Sequence, residues 1–313
     1  MLRVEARAKI NFFLEVLDKR PDGYHELRSL LAPISLADEM EFELQPDGAV
    51  STEMDIRELP EIVGVSVAES DDNLTTRAAR LLQRETGCRQ GVRIRIRKRI
   101  PIGGGLGGGS SDAAATLRTL NGLWNLNLPR ARLIELAARL GSDIPALVQG
   151  GMAALEGVGD RVSRLEPASG PPLEPWWLVV VNPGFSTSTR DIYERYRTRL
   201  TSAPEYYNNM RSALLTGDVR LAAQHLFNSL EATVFCKYPL ARMLVGRLRE
   251  AGALGAMVSG SGSSLFALAS GEGHARELEQ TLRSRSDGAI WSRVAKTMPD
   301  SVMAAHDPLE VRV

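Results

Sequence analysis

Apolar and polar residues alternate along Leu2–Ala6 and Ile10–Leu17, the two-residue period of strands with one buried face. Asp18–Gly23 (DKRPDG) is dense turn chemistry, and Leu27–Ile34 and Met40–Leu44 extend this β-rich opening. Asp72-Asn73-Leu74 opens a helix to about Thr86, with Leu74, Ala78, Leu81 and Leu82 as its apolar positions and Asn73 as candidate N-cap. Val92–Arg97 alternates apolar and basic residues, again a half-buried strand. An Ala/Leu run with Ser110 and Ser111 as candidate N-caps and Asp112 in its first turn predicts the next helix. Arg132–Leu140 predicts another, closed by Gly141, and Ile144–Gln149 a short one. Met152–Leu155 reads as a strand and Glu156–Asp160 as a turn.

A change of composition follows. Glu166–Pro175 holds four prolines and a glycine, which puts a domain boundary between about residues 155 and 175 and predicts domains 1–160 and 161–313. Beyond it, Trp177–Asn182 predicts a buried strand, Pro183–Arg190 a polar loop and Asp191–Thr198 a helix. Two or three helices then run to Ala251. Strands Ala253–Val258 and Leu265–Leu268 flank the loop Ser259–Ser264, and a helix from about His274 and a strand Ala289–Lys296 complete the chain. The order predicts an α+β half, an antiparallel sheet backed by helices. There are no internal repeats.

The chain has 313 residues, 43% hydrophobic and 24% charged, with a formal net charge of zero. That balance gives no global electrostatic case for nucleic acid or an anionic membrane. Its longest apolar run, Trp176–Val181, is far too short to span a bilayer. MLRVEARAK is broken by charges, against a secretory signal, and Glu5 argues against a transit peptide; the expected location is cytoplasmic. Cys88 and Cys236 are isolated, so reduced, buried thiols are expected and no metal site. With only five lysines in the chain, a lysine at a motif position carries added information.

The densest chemical signal is Lys98–Thr116, KRIPIGGGLGGGSSDAAAT, with six glycines among the seven residues Gly103 to Gly109. Strand, glycine loop and capped helix make an anion site. Glycines let backbone N–H groups converge with no Cβ in the way, and the helix N-terminus adds unpaired N–H groups and about half a positive charge. The Walker loop is excluded, because the chain has no Gly-Lys pair. Gly103-x-Gly105-x-x-Gly108 fits the dinucleotide fingerprint, yet Lys98–Ile102 separates it from the strand, which that fold does not allow. A phosphate-binding loop of a third kind is the reading. Elsewhere Lys9 and Asn11 flank Ile10 on one strand face, Tyr24 and His25 follow the turn, and Asp143 precedes a proline corner. Taken singly, Lys9, Asn11, Tyr24 and His25 read first as a surface lysine, a turn asparagine, a half-buried aromatic and a satisfied histidine, and Asp143 reads as a cap or as a carboxylate held at a rigid corner.

Three stretches together resemble the three motifs of the GHMP kinases: AKINFFLEVLDKRPDGYHEL, PIGGGLGGGSSDAAATL and VSGSGSSLFAL. AKIN, DGYH, GSDIPAL and EGVGD are similar to the branch acting on a cytidine-diphosphate-linked methylerythritol. The resemblance implies ATP-dependent phosphorylation of that substrate's 2-hydroxyl in the non-mevalonate isoprenoid pathway. It implies an N-terminal nucleotide-binding domain and a C-terminal ferredoxin-like domain with the active site between them. Lys9 and Asp143 would be catalytic, Asp143 as base and Lys9 stabilising charge. ATP would lie on Asn73, Lys98, Pro101, Gly103, Gly104, Gly105, Leu106, Gly107, Gly108, Gly109, Ser110 and Ser111, with Mg²⁺ bridging its phosphates. Asn11, Tyr24, His25, Thr189 and Tyr193 would take the substrate. His25 would hydrogen-bond the cytosine edge, Tyr24 would stack on its face, and Tyr193 would complete a sandwich. Gly260–Ser263 would line the cleft. A homodimer is one option for the assembly. Two departures stand out: Ser263 replaces the proline usual in the third motif, and Ser142–Leu147 is less aromatic than in relatives. A homoserine or mevalonate type of kinase, or a silent metabolite sensor of this fold, are the alternatives. DGYH argues against the first, since those substrates carry no pyrimidine, and retention of Lys9 and Asp143 against the second.

Overall fold

Strand β1 (Leu2–Lys19) and strand β2 (His25–Gln45) are single long strands in the computed structural model, where the periodicity predicts four shorter ones. The structure describes residues 1–60, 73–167, 173–197, 204–286 and 290–299. Bulges between Arg7 and Lys9 and between Asn11 and Phe13 absorb the breaks in alternation. An extra residue at a bulge bends a strand and re-aims its side chains without ending it. These two bulges bracket Lys9 and Asn11.

The first sheet adds β3 (Val50–Asp55), β4 (Gly91–Arg97), β5 (Ala153–Gly157), β6 (Arg161–Arg164) and the two-residue β8 (Phe227–Asn228). Its order is β3-β4-β2-β1-β8, with β5 pairing β2 and β6 pairing β5. Helices α1 (Leu74–Thr86), α2 (Gly108–Leu123), α3 (Arg130–Ala138) and α4 (Ile144–Gln149) join it in one apolar core. Leu82, Leu117, Leu120 and Leu136 pack there against Phe42, Ile94 and Ile96. Elsewhere on this sheet Arg3 pairs with Glu41 and Arg93 with Glu53, exposed pairs that serve solubility more than stability.

The second sheet consists of β7 (Trp177–Asn182), β9 (Gly255–Val258), β10 (Leu265–Leu268) and β11 (Trp291–Lys296). Its order β11-β7-β10-β9 is antiparallel throughout. Fourth, first, third, second is the ferredoxin-like arrangement. Helices α5 (Thr189–Arg195), α6 (Pro204–Thr216), α7 (Val219–Gln224), α8 (Glu231–Lys237), α9 (Pro239–Glu250) and α10 (Glu272–Ser284) accompany it. Phe12, Ile10 and Leu30 of the first sheet share one core with Leu178, Met257 and Phe266 of the second. Phe12 meets Trp176 and Phe266 edge-on, at 5.4 and 5.5 Å.

Several expectations are corrected. Helix α2 starts inside the glycine run, capped by Gly107 at φ 72°, not at Ser110 or Ser111. A left-handed residue can turn the chain into a helix without a side-chain cap, and only glycine does so cheaply. The β5–β6 hairpin carries the first sheet to Arg164, inside the interval 155–175 where the composition changes. Residues 168–172 of the proline-rich stretch, and Asp72, Thr198 and Ala289, lie outside the described residues. Cys88 is half-buried against the core of the first half and Cys236 is exposed, so neither is the buried thiol expected. Strand β3 was not expected, although Thr52 faces inward between exposed Ser51 and Glu53. No helix among the described residues is long and apolar enough to cross a membrane.

Candidate active site

A cleft of about 1110 Å³ is lined from both halves, by β1, β2, the glycine loop and the corner before α4 on one side and by α5 and Gly260–Ser261 on the other. Its volume suits two ligands side by side. Every residue expected to act in catalysis or to bind ATP or substrate lines it except Ser111, and of the third motif Gly260 and Ser261 line it while Gly262 and Ser263 do not. Ser111 is fully buried, and its hydroxyl donates to Arg7 O at 2.5 Å, tying α2 to β1.

At the floor stands Lys9, only 3% exposed. Its Nζ donates to Asn11 Oδ1 at 2.6 Å and pairs with Asp143 Oδ2 at 3.0 Å. Asp143 occupies the N-cap position of α4 yet makes no side-chain cap bond. The carboxylate turns to Lys9 instead and stays about a third exposed, open to the cleft. The two readings of Asp143 thus separate in space, its backbone at the cap and its side chain at the site.

The glycines divide into two groups with different reasons. A Cβ at Gly104 would stand 2.5 Å from Ser264 Oγ, and one at Gly105 would stand 2.4 Å from Ser259 O. Gly103 would meet Ser186 Cβ at 2.8 Å. These three glycines let the second half dock. A Cβ at Gly107 would instead meet Lys9 Cγ at 2.9 Å, and one at Gly108 would meet Ile100 at 3.0 Å. The loop's carbonyls all face the body. Gly103 O accepts from Thr187 N, Gly104 O from Ser264 N, Gly105 O from Ser259 Oγ and Leu106 O from Lys9 N. A trans peptide sets its N–H opposite its C=O, so the N–H groups of Gly104–Gly107 point away from those partners. Together with the first turn of α2 they form a cradle suited to a polyphosphate.

Beside the cradle Lys98 is buried with two carboxylates. Its Nζ donates to Asp38 Oδ2 and Asp112 Oδ2 at 2.5 and 2.6 Å, and Asp38 Oδ1 accepts from Ile100 N at 2.9 Å. One ammonium serves two carboxylates. Burial pushes the Asp112 carboxyl up to about 7; Lys98 opposes that shift and Asp38 adds to it. The paired carboxylates hold Lys98 above its ordinary value despite burial. Asp112 Oδ1 is buried without a hydrogen-bond partner among the described residues. Lys98 lines the cleft, but its charge is spent largely inside the protein. Asn73 likewise has two duties: its Oδ1 caps α1 through Thr75 N at 2.8 Å, and its side chain lines the cleft beside Met54.

At the other end His25 lies 5.3 Å from Tyr193, tilted by 39°. Burial, and then Lys19, lower the imidazole below its ordinary value, so it is neutral at pH 7. Burial and the Asp143 carboxylate push the Tyr193 phenol up. Tyr24 sits at the rim, 65% exposed. Tyr193 therefore stands first against His25, and the cleft beyond them opens toward Tyr24. Thr189 Oγ1 is 2.9 Å from Ser261 Oγ, and Ser263 donates to Phe185 O.

Sequence reasoning passed over Ser29, Asp38, Met54 and Asn228. Asn228 Nδ2 donates to Val258 O and Gly260 O at 3.0 and 2.7 Å and so holds the third-motif loop to β1. For Asp38 and Ser29 the sequence offers no signal, because their partners lie on other strands and helices.

Comparison with known proteins agrees with this geometry. The model of the GHMP kinases N terminal domain matches residues 73–151, and that of the GHMP kinases C terminal matches residues 210–287. The chain is 40% identical over 288 residues to a 4-diphosphocytidyl-2-C-methyl-D-erythritol kinase of Pelotomaculum thermopropionicum, covering 92% of this chain and 96% of that one. It is 37% identical to the protein of the same name from Syntrophus aciditrophicus, over 93% of this chain and 98% of that one. A crystal structure of 4-(cytidine 5'-diphospho)-2C-methyl-D-erythritol kinase superposes with a TM-score of 0.72 at 34% identity, covering 95% of this chain and all of that one. An L. major mevalonate kinase superposes at 0.70 with 20% identity, covering 96% and 97%, a likeness of fold alone.

Proposed function

We propose, starting from a chain that belongs to the GHMP kinases and within them to the 4-diphosphocytidyl-2-C-methyl-D-erythritol kinases, that it phosphorylates the 2-hydroxyl of 4-diphosphocytidyl-2-C-methyl-D-erythritol with ATP, a step of the non-mevalonate isoprenoid pathway. The observation that carries this reading is the Lys9–Asp143 pair, 3.0 Å apart at the floor of the cleft between the glycine cradle and the His25–Tyr193 end.

Asp143 accepts the proton of the acceptor hydroxyl. Its exposed oxygen reaches the cleft while Lys9 fixes the other side of the carboxylate. Lys9 favours negative charge on the attacking oxygen and on the phosphoryl group in flight. Phosphoryl transfer passes through a loose transition state that asks chiefly for position and charge stabilisation, so a weak base suffices. The polyphosphate of ATP rests on the N–H groups of Gly104–Gly107 and the start of α2, with Asn73, Lys98 and Pro101 around the nucleoside. The cradle fits it, because every side chain larger than hydrogen is missing from Gly107–Gly109. Mg²⁺ neutralises phosphate charge in such reactions. Among the described residues no group of three His, Cys, Asp or Glu could hold a metal ion; the ion would come with the nucleotide, and Ser110, which lines the cleft, would be the side chain to help hold it. Neutral His25 offers one donor and one acceptor to a pyrimidine edge, with Tyr193 and Tyr24 as aromatic neighbours. Asn11 and Thr189 lie between the two ends.

The test is ATP consumption by the purified protein with Mg²⁺, offered the cytidine substrate, homoserine and mevalonate separately. Turnover confined to the first supports the proposal. Turnover with another alcohol alone would keep the Lys9–Asp143 chemistry and overturn the substrate. Silence with all three despite ATP binding would favour a sensor.

A further inference from the structure

Lys9 does not find its place unaided. Its Nζ donates to Asn11 Oδ1 at 2.6 Å, Asn11 Nδ2 donates to Ser29 Oγ at 2.9 Å, and Ser29 Oγ donates to Phe13 O at 2.7 Å. All three side chains are buried, at 3%, 4% and 1% exposure, with only their edges on the cleft. The chain of bonds has a fixed direction. A backbone carbonyl can only accept, so the Ser29 hydroxyl spends its one proton on Phe13 O. Its oxygen can then only accept, which selects the NH₂ end of the Asn11 amide. The carbonyl end is thereby turned to Lys9. With the amide reversed, an NH₂ group would face an ammonium, two donors with nothing between them.

We propose that Ser29 is a positioning residue for the phosphoryl transfer, acting through the Asn11 amide to hold the Lys9 ammonium against Asp143. The inference rests on the catalytic reading of Lys9. Across the strand pair, Asn11 lies opposite Leu31 and Leu14 opposite Ser29, with the bulge between them. Ser29 and Leu31 are two residues apart on β2 and so share a face, which sets Ser29 diagonally across from Asn11. Ser29 lines the cleft but lies behind Asn11 in the sequence of bonds, and no step of the reaction uses its hydroxyl directly.

Steady-state kinetics and thermal unfolding of five variants test this. Ser29→Ala is expected to lower kcat at least tenfold, since a displacement of about 1 Å in a reacting group can cost about 100-fold. KM for ATP should stay within about twofold. Ser29→Thr keeps a hydroxyl and should recover most of the rate. Asn11→Asp presents an oxygen to Lys9 in either orientation and makes the selector redundant. Adding Ser29→Ala to Asn11→Asp should therefore cost less than about threefold more. Wild-type kcat in Ser29→Ala would overturn the relay. So would an equal loss with and without Asn11→Asp, which is what mere support of the strand pair would give. Lys9→Met separates the two levels. Turnover surviving in it would overturn the catalytic reading and the relay together. Loss of turnover there, with normal Ser29→Ala, would overturn the relay alone.

Discussion

Asp143 and Lys9 face one another at 3.0 Å, and the carboxylate is the partner left open to the cleft. Asp143→Asn keeps shape and removes the base, so kcat should fall at least about 100-fold with KM for ATP little changed; near-normal turnover would refute the assignment. His25→Ala should raise KM for the cytidine substrate and leave kcat nearly alone. In the intact protein that KM should stay flat on acidification to about pH 6.5 and rise only below it, because burial and Lys19 hold the imidazole below its ordinary value. A rise beginning at higher pH would contradict the neutral histidine. Asp112 gives the opposite kind of dependence. Its carboxyl is raised to about 7 in the folded chain, so the folded state binds the proton more tightly than the unfolded one. The stabilisation is present at low pH and is lost as pH rises from the ordinary carboxyl range, near 4, through about 7. Asp112→Asn should flatten that fall in unfolding midpoint, and an unchanged slope would place the titration elsewhere. Of these groups Lys9, His25 and Asp143 were legible because they sit in motifs. Asp38 was not, because its partners, Lys98 and the backbone of Ile100, lie about sixty positions away along the chain.

Among the elements, the glycine loop and α2 show where sequence reading holds and where it stops. Its anion-binding layout was visible from glycine density. That half of the glycines serve the second half of the chain was not, because Ser186, Ser259 and Ser264 approach only in the fold. Helix α2 was placed from its serines, whereas the turn into it is made by Gly107 in the left-handed region. Gly107→Ala should strain that φ and push its Cβ toward Lys9 Cγ, 2.9 Å away. Loss of kcat with a lowered unfolding midpoint is expected, and an active, stable variant would disprove the packing. Gly246 in α9 is the contrast, with nothing within 4 Å of its Cβ direction. Gly246→Ala should stabilise the protein by about 0.5–1 kcal/mol through helix propensity, readable as a higher denaturant midpoint. Strands β7 and β10 match their predicted bounds because each is a short, continuous apolar run. The long β1 and β2 were seen only in pieces, since bulges interrupt the very alternation that identifies a strand.

At the scale of the whole molecule the two sheets are not independent. Phe12 and Ile10 share a core with Phe266 and Met257, and β8, from the second half of the chain, pairs with β1. Calorimetry should show one cooperative transition, and residues 161–313 alone should fail to give a native-like fold; two resolved transitions would show separable units. The same docking bears on how the protein could change under selection. Backbone at Gly104 and Gly105 is pinned between the cleft and Ser264 or Ser259, with no room for a single added carbon at 2.5 and 2.4 Å. A small-molecule inhibitor that drew its affinity from those N–H groups would touch a surface no viable substitution can redraw. Drug resistance would have to arise at the cleft's edges, around Arg190, where the side chain is exposed and exchange is cheap.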